Sequence, residues 1–134
     1  MIVLDASALL DLLLPTSRGE AVARRISGEE ETLHAPHLID LEVVHVLRRY
    51  EMKGLLTRTR AEEILADFAD LDILRYPHED FLRRIWALRK NVTAYDAAYL
   101  AIAEALDAPL LTADEKLARS RGHKAHVEVV SAER

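Results

Sequence analysis

Short apolar runs alternate with helix-like segments along nearly the whole chain, and this alternation restricts the fold more than any other feature. The strand candidates are Met1–Leu4, Thr32–Ala35, Leu71–Leu74, Pro109–Leu111 and Val127–Val130. Each is only a few residues long and mainly apolar, and the first two are closed by Asp5 and Pro36. Strands separated by helices cannot pair as hairpins. They require crossovers, which implies a parallel sheet with helices covering both faces. The expected class is therefore α/β, in one domain spanning residues 1–134.

The helix signals fall between those runs. Ser7 is placed to cap a helix over Ala8–Leu13 that Pro15 stops. Ser17 and Glu20 have capping-box spacing for a helix through Ile26, ended by Gly28. Leu38–Met52 is a long helix, apolar on most faces near its start, which predicts burial there. Arg58–Ala69 is amphipathic. A further helix is expected from Glu79 to Arg89, another from Thr93 to Ala105, and a short one over Asp114–Arg119.

The chain has no cysteine, so neither a disulfide framework nor a thiolate metal site is possible. Met1–Leu14 is apolar but holds Asp5 and Asp11 and lacks a basic leader. It predicts neither a signal peptide nor a membrane span, and a cytoplasmic protein is expected. The net charge of −5 does not itself favour a polyanionic partner. The basic pairs Arg24-Arg25, Arg48-Arg49, Arg83-Arg84 and Arg89-Lys90 read first as solvated helix surface.

Four carboxylates stand in apolar company, where an unpartnered charge is costly. Asp5 follows Ile2-Val3-Leu4. Glu42 lies in Leu41-Glu42-Val43-Val44. Asp96 lies within Tyr95-Asp96-Ala97-Ala98-Tyr99-Leu100, and Asp114 follows Leu110-Leu111-Thr112-Ala113. Each has a purely structural explanation. Asp5 can end a strand, Glu42 can snorkel or pair with an arginine, Asp96 fits a capping box with Thr93, and Asp114 is a good N-cap. Collectively they point elsewhere. Asp5 and Asp114 fall at or just past the carboxyl ends of strands, where doubly wound sheets bind ligands. Crowded carboxylates repel one another unless a cation joins them. Hard oxygen donors suit Mg²⁺ or Mn²⁺, which can activate water and steady phosphoryl charge.

At these residues the chain resembles a PIN domain, specifically the VapC-type toxins of toxin–antitoxin pairs. The resemblance rests on Met1–Leu9, on Pro36 leading to Glu42-Val43-Val44-His45-Val46-Leu47, on Tyr95–Ala103 and on Leu111–Leu117. It implies a three-layer α/β/α sandwich around a parallel sheet of about five strands. It implies a Mg²⁺- or Mn²⁺-dependent endoribonuclease, with RNA as substrate, a cognate VapB-type antitoxin and a second copy of the chain as partners, and no membrane association. Asp5, Glu42, Asp96 and Asp114 match the family's acidic quartet. Asp5 and Asp96 would be metal ligands, Glu42 a ligand or a holder of the attacking water, and Asp114 an acid reached through water. Ser7 and Thr112 match hydroxyl positions that orient water or ligand carboxylates. His45 departs from the polar amide common in similar toxins.

Other readings fit less well. A PIN-like module that binds RNA or protein without cutting it would not need all four acids. An aspartate-nucleophile phosphatase would want a second Asp where this chain has Ser7. A receiver domain would want adjacent acids after its first strand. His123-x-x-His126 has ligand spacing but no third ligand nearby, so solvated surface is expected. The apolar excess around Leu38–Met52, Leu55, Leu56, Ile64, Leu65 and Phe68 could receive an antitoxin segment.

Overall fold

The computed structural model describes residues 1–131. Its elements follow the expected alternation. They are β1 (Ile2–Leu4), α1 (Ala6–Leu13), α2 (Ser17–Ile26), β2 (Leu33–Pro36), α3 (Leu38–Met52), α4 (Arg58–Asp70) and β3 (Ile73–Tyr76). A 3₁₀ turn (Glu79–Phe81) then leads to α5 (Leu82–Ala87), α6 (Ala94–Leu106), β4 (Leu110–Thr112), α7 (Glu115–Ala118) and β5 (Val127–Val129). The five strands are parallel, in the order β3-β2-β1-β4-β5.

That order has a direct consequence. From β1 the chain first builds outward through β2 to β3, then returns to the other side of β1 for β4 and β5. Right-handed crossovers in opposite directions place their helices on opposite faces. The packing agrees: α1 touches α2, α3 and α4, whereas α6 lies on α5 and on β1, β2 and β4. The result is a three-layer α/β/α sandwich. The reversal occurs between β1 and β4, so the crevice for a ligand opens beyond their carboxyl ends.

The core is aliphatic. Ile2, Val3 and Leu4 are fully buried, as a central strand covered on both sides should be. Leu9, Ile39, Val43, Ile64, Leu100, Ile102, Leu110 and Leu111 complete the packing around them. Burying each such side chain stabilises the fold by about 1.5–3 kcal/mol.

Several local expectations are corrected. Asp5, not Ser7, caps α1: its carboxylate accepts from the Ala8 N–H. Thr16, not Ser17, caps α2 by accepting from the Gly19 N–H. Glu20 then lies one residue past the capping-box position, and no box forms. The third strand begins at Ile73 rather than Leu71, because the Leu71 N–H is used by the Phe68 carbonyl to close α4. The helix expected over Glu79–Arg89 is interrupted at Phe81, whose φ of −115° and ψ of 4° are not helical. The start of α3 is only half buried. Ile39, Val43 and Leu47 face the core, but Leu41 is 72% exposed and Val44 46%. Among the described residues no helix is long and apolar enough to cross a membrane.

Candidate active site

Asp5 sits at the carboxyl end of β1 and turns the chain into α1. It is only 7% exposed. Its Oδ1 accepts from the Ser7 hydroxyl at 2.6 Å and from the Ala8 N–H at 2.9 Å. Its Oδ2 accepts from the Thr112 hydroxyl. Burial pushes the Asp5 carboxyl above the ordinary aspartate range. The three donors pull it back, and the negative charge of Asp96 raises it further. A buried carboxylate held by three donors from two segments is oriented as well as stabilised.

Ser7 and Thr112 also organise the chain after β4. The Ser7 hydroxyl accepts from the Ala113 N–H at 3.0 Å, and the Thr112 hydroxyl accepts from the Asp114 N–H at 3.0 Å. Two small hydroxyls therefore join the loops after β1 and β4 at the topological switch point. Thr112 is fully buried, so an apolar replacement would strand polar partners there.

Glu42 comes from the second turn of α3 and is partly buried. Its Oε1 accepts from the Tyr99 hydroxyl at 2.6 Å. Burial raises the Glu42 carboxyl, the tyrosine lowers it, and the charges of Asp5 and Asp96 raise it again. Tyr99 is itself buried on α6, and burial together with the adjacent carboxylate drives its hydroxyl far above the usual phenol range. The phenol therefore remains a donor at every working pH. The sequence reading gave Tyr99 no role, although a tyrosine inside an alanine-rich buried helix needs a partner for its hydroxyl.

Asp96 occupies the first turn of α6, three residues after the N-cap Thr93, whose hydroxyl accepts from the Asp96 N–H at 3.2 Å. Thr93 thus caps α6, the N-cap half of the expected box, and Asp96 also lines a surface cleft together with Asp114. Burial raises its carboxyl, and the Asp114 charge raises it further. Asp114 is exposed and caps the short α7 by accepting from the Lys116 N–H at 2.9 Å. A neighbouring cleft carries Ser7, Glu42 and Asp114. The six expected residues thus lie around one edge of the sheet. Electrostatic coupling links Asp5 to Asp96, Glu42 to both, and Asp96 to Asp114.

The donors suit a hard divalent cation: all are carboxylate or hydroxyl oxygens, and three of the carboxylates are held above their ordinary range by burial and mutual repulsion. Among the described residues no three acidic or histidine side chains close on one point as a ready cage. Mg²⁺ does not require one, since it keeps several waters and binds through one or two carboxylates. Asp11, another buried acid at this edge, is satisfied by Thr16 at 3.2 Å and Arg18 at 3.1 Å, so it is not a free donor. His45 is exposed on α3. His123 and His126 lie in the loop before β5, bonded to Ser120 and facing Glu128 respectively.

Comparison with known proteins identifies the family. The PIN domain family matches residues 2–122. Ribonuclease VapC12 of Mycobacterium tuberculosis is 43% identical over 131 residues, covering 98% of this chain and all of the relative. Among solved structures, PAE2754 from Pyrobaculum aerophilum superposes with a TM-score of 0.69 at 24% identity, covering 96% of this chain and 83% of that one. Mycobacterium tuberculosis VapC20, described as a Sarcin-Ricin loop cleaving toxin, gives 0.65 at 11% identity, covering 89% and 94%. These two likenesses concern the fold. With a full-length relative at that identity and a family match across almost the whole chain, the protein belongs to the PIN-domain family, among the VapC ribonucleases.

Proposed function

We propose that the chain is a divalent-metal-dependent endoribonuclease and acts as the toxin of a toxin–antitoxin pair. The observation that carries the reading is the buried Asp5, held by Ser7, Ala8 and Thr112 beside Glu42 and Asp96. Burying a carboxylate among other carboxylates is costly, and a cation at the switch-point crevice removes the cost. The relatives named as VapC ribonucleases support the activity class.

In this reading Asp5 and Asp96 ligate Mg²⁺ or Mn²⁺, and the bound ion supplies Lewis acidity and an activated water. Tyr99 holds the Glu42 carboxylate where it can take a proton from the attacking water. Asp114 reaches the site through water from the exposed rim. Ser7 and Thr112 fix Asp5 so that it does not reorganise when substrate arrives. The working state is cytoplasmic. A VapB-type antitoxin covers the exposed apolar stretch of α3 that includes Leu41 and Val44, and a second copy of the chain completes a homodimer.

Incubation of purified protein with labelled RNA and Mg²⁺ or Mn²⁺ tests the reading. Internal cleavage is expected, abolished by chelation and by Asp96→Asn. RNA that is bound but left intact under all metal conditions would favour a PIN-like binding module instead.

A further inference from the structure

Trp86 is the single tryptophan of the chain, and it stands 66% exposed on α5. A singly exposed apolar side chain needs no explanation by itself, but an exposed indole offers a flat face on which a base can stack. The ring is not loose. The Arg89 guanidinium carbon lies 4.3 Å from its centroid, and Arg89 Nη1 donates to the Trp86 carbonyl at 3.1 Å. The cation thus stacks on the indole and pins it.

Arg89 also belongs to a second feature. With Lys90 and Lys116 it lines the cleft of about 570 Å³ that carries Asp96 and Asp114. Among the described residues no carboxylate forms an ion pair with Arg89, Lys90 or Lys116. Other arginines here are engaged: Arg25 with Glu128, Arg75 with Asp40, and Arg84 with Glu104. On a chain of net charge −5, three uncompensated cations beside two of the candidate catalytic acids form a local track for phosphates.

We infer that Trp86 and Arg89 form a stacking platform for an unpaired base of single-stranded RNA, with Lys90 and Lys116 holding the phosphates that lead from that base to the carboxylates. The inference rests on the ribonuclease reading and adds to it the residues that hold the substrate beside the carboxylates. Bases within a duplex are already stacked on one another and cannot lie on an exposed indole, whereas looped or single-stranded bases can. Stacking tolerates any base, so the platform selects for unpaired structure and leaves sequence choice to other contacts.

Because Trp86 is unique, its fluorescence reports on this place alone. The experiment uses the full chain carrying Asp96→Asn, with Mg²⁺ present, so that a single-stranded oligoribonucleotide stays intact while bound. Saturable quenching of the tryptophan is expected, with much less from the same sequence annealed to its complement. In binding followed by anisotropy of the labelled strand, Trp86→Ala should weaken affinity about tenfold, and Trp86→Phe should keep most of it. Lys90→Glu should also weaken binding, and should flatten its salt dependence.

RNA that binds with unchanged emission, and equally well to the Trp86→Ala chain, would overturn the platform while leaving the ribonuclease reading intact. An emission shift that depends on protein concentration without RNA would overturn it too, placing Trp86 under a second copy. Quenching as expected in a protein whose parent chain never cuts RNA would reject the ribonuclease reading and retain the platform.

Discussion

The Tyr99 hydroxyl donates to Glu42 Oε1 at 2.6 Å, and this one bond joins α6 to α3 at the edge of the sheet where the carboxylates gather. It sets the position of an acid that has no other hydrogen-bonding side chain recorded on it among the described residues. Tyr99→Phe keeps the buried ring and removes only the donor. A loss of about 1.5–3 kcal/mol in stability is the upper expectation for a bond to a charged group. Relief of the Glu42 charge by protonation will reduce it. RNA cleavage should fall about tenfold with little change in RNA affinity, because the bond positions a proton acceptor rather than a binding contact. Denaturant melts and single-turnover cleavage check both parts.

Thr112→Val removes a hydroxyl that serves Asp5 and the Asp114 N–H together. The change is nearly isosteric, so packing should survive. The buried Asp5 carboxylate loses a bond, at about 1–3 kcal/mol, and the Asp114 N–H, nearer the surface, loses another. Without that donor the Asp5 carboxyl rises further, and metal affinity should fall at neutral pH. Ser7→Ala should act in the same direction, since Ser7 also bonds Asp5 and the Ala113 N–H. A melt and a Mn²⁺ titration on each variant measure the two effects.

Stability of the metal-free protein should depend on pH in two opposing ways. Asp5, Glu42 and Asp96 are raised above their ordinary values of 3.8 and 4.5. The folded state therefore keeps protons that the unfolded chain releases. Their contribution is complete below those ordinary values and is lost as pH rises through the folded pKa values. Glu104 and Glu128 are lowered from 4.5 by hydrogen bonds from Arg84 and Arg25. Their contribution is present above the ordinary value and is lost as pH falls through the folded ones. Tm measured across this range should peak in mild acid and decline toward neutrality, and Mg²⁺ should restore the neutral side. Asp96→Asn should leave the metal-free protein as stable or more so, because it relieves repulsion at the cost of no recorded bond to another element.

Gly19→Ala tests the approach of α1 to α2. A Cβ on Gly19 would lie 2.1 Å from the Asp11 carbonyl oxygen, which is backbone and cannot swing aside. The helices would have to separate, at a cost of about 1–3 kcal/mol or more. A chemical melt measures it. Gly28→Ala is the control: the nearest atom there is 3.1 Å away, on the flexible Glu31 side chain.

Strand positions, and the places of Asp5 and Asp114 just past two of them, were readable from the sequence for one shared reason. Ile2-Val3-Leu4 and Leu110-Leu111 are apolar without alternation, as strands covered on both faces must be, and an acid after such a run is conspicuous. Helix starts were less readable. Asp5 and Thr16 displace Ser7 and Ser17 as caps, because which hydroxyl or carboxylate meets the orphan N–H groups depends on the entry angle of the chain. The two-residue shift of β3 follows from pairing: Ile73 sits opposite Leu33 in the ladder, which local pattern does not encode. Tyr99 and Trp86 acquired roles only in three dimensions. One finds its acid 57 positions away in sequence, and the other is marked by an exposure that its apolar neighbours give no hint of.

The central claim is that carboxylates distant in sequence share one cation. Calorimetric titration of Mn²⁺ into the purified protein addresses it without reference to any RNA. Saturable binding is predicted for the wild-type chain, strongly weakened in both Asp5→Asn and Asp96→Asn, with each variant still folded by circular dichroism. Wild-type binding that persists unchanged in both folded variants, or no Mn²⁺ binding by the wild-type protein, would contradict it.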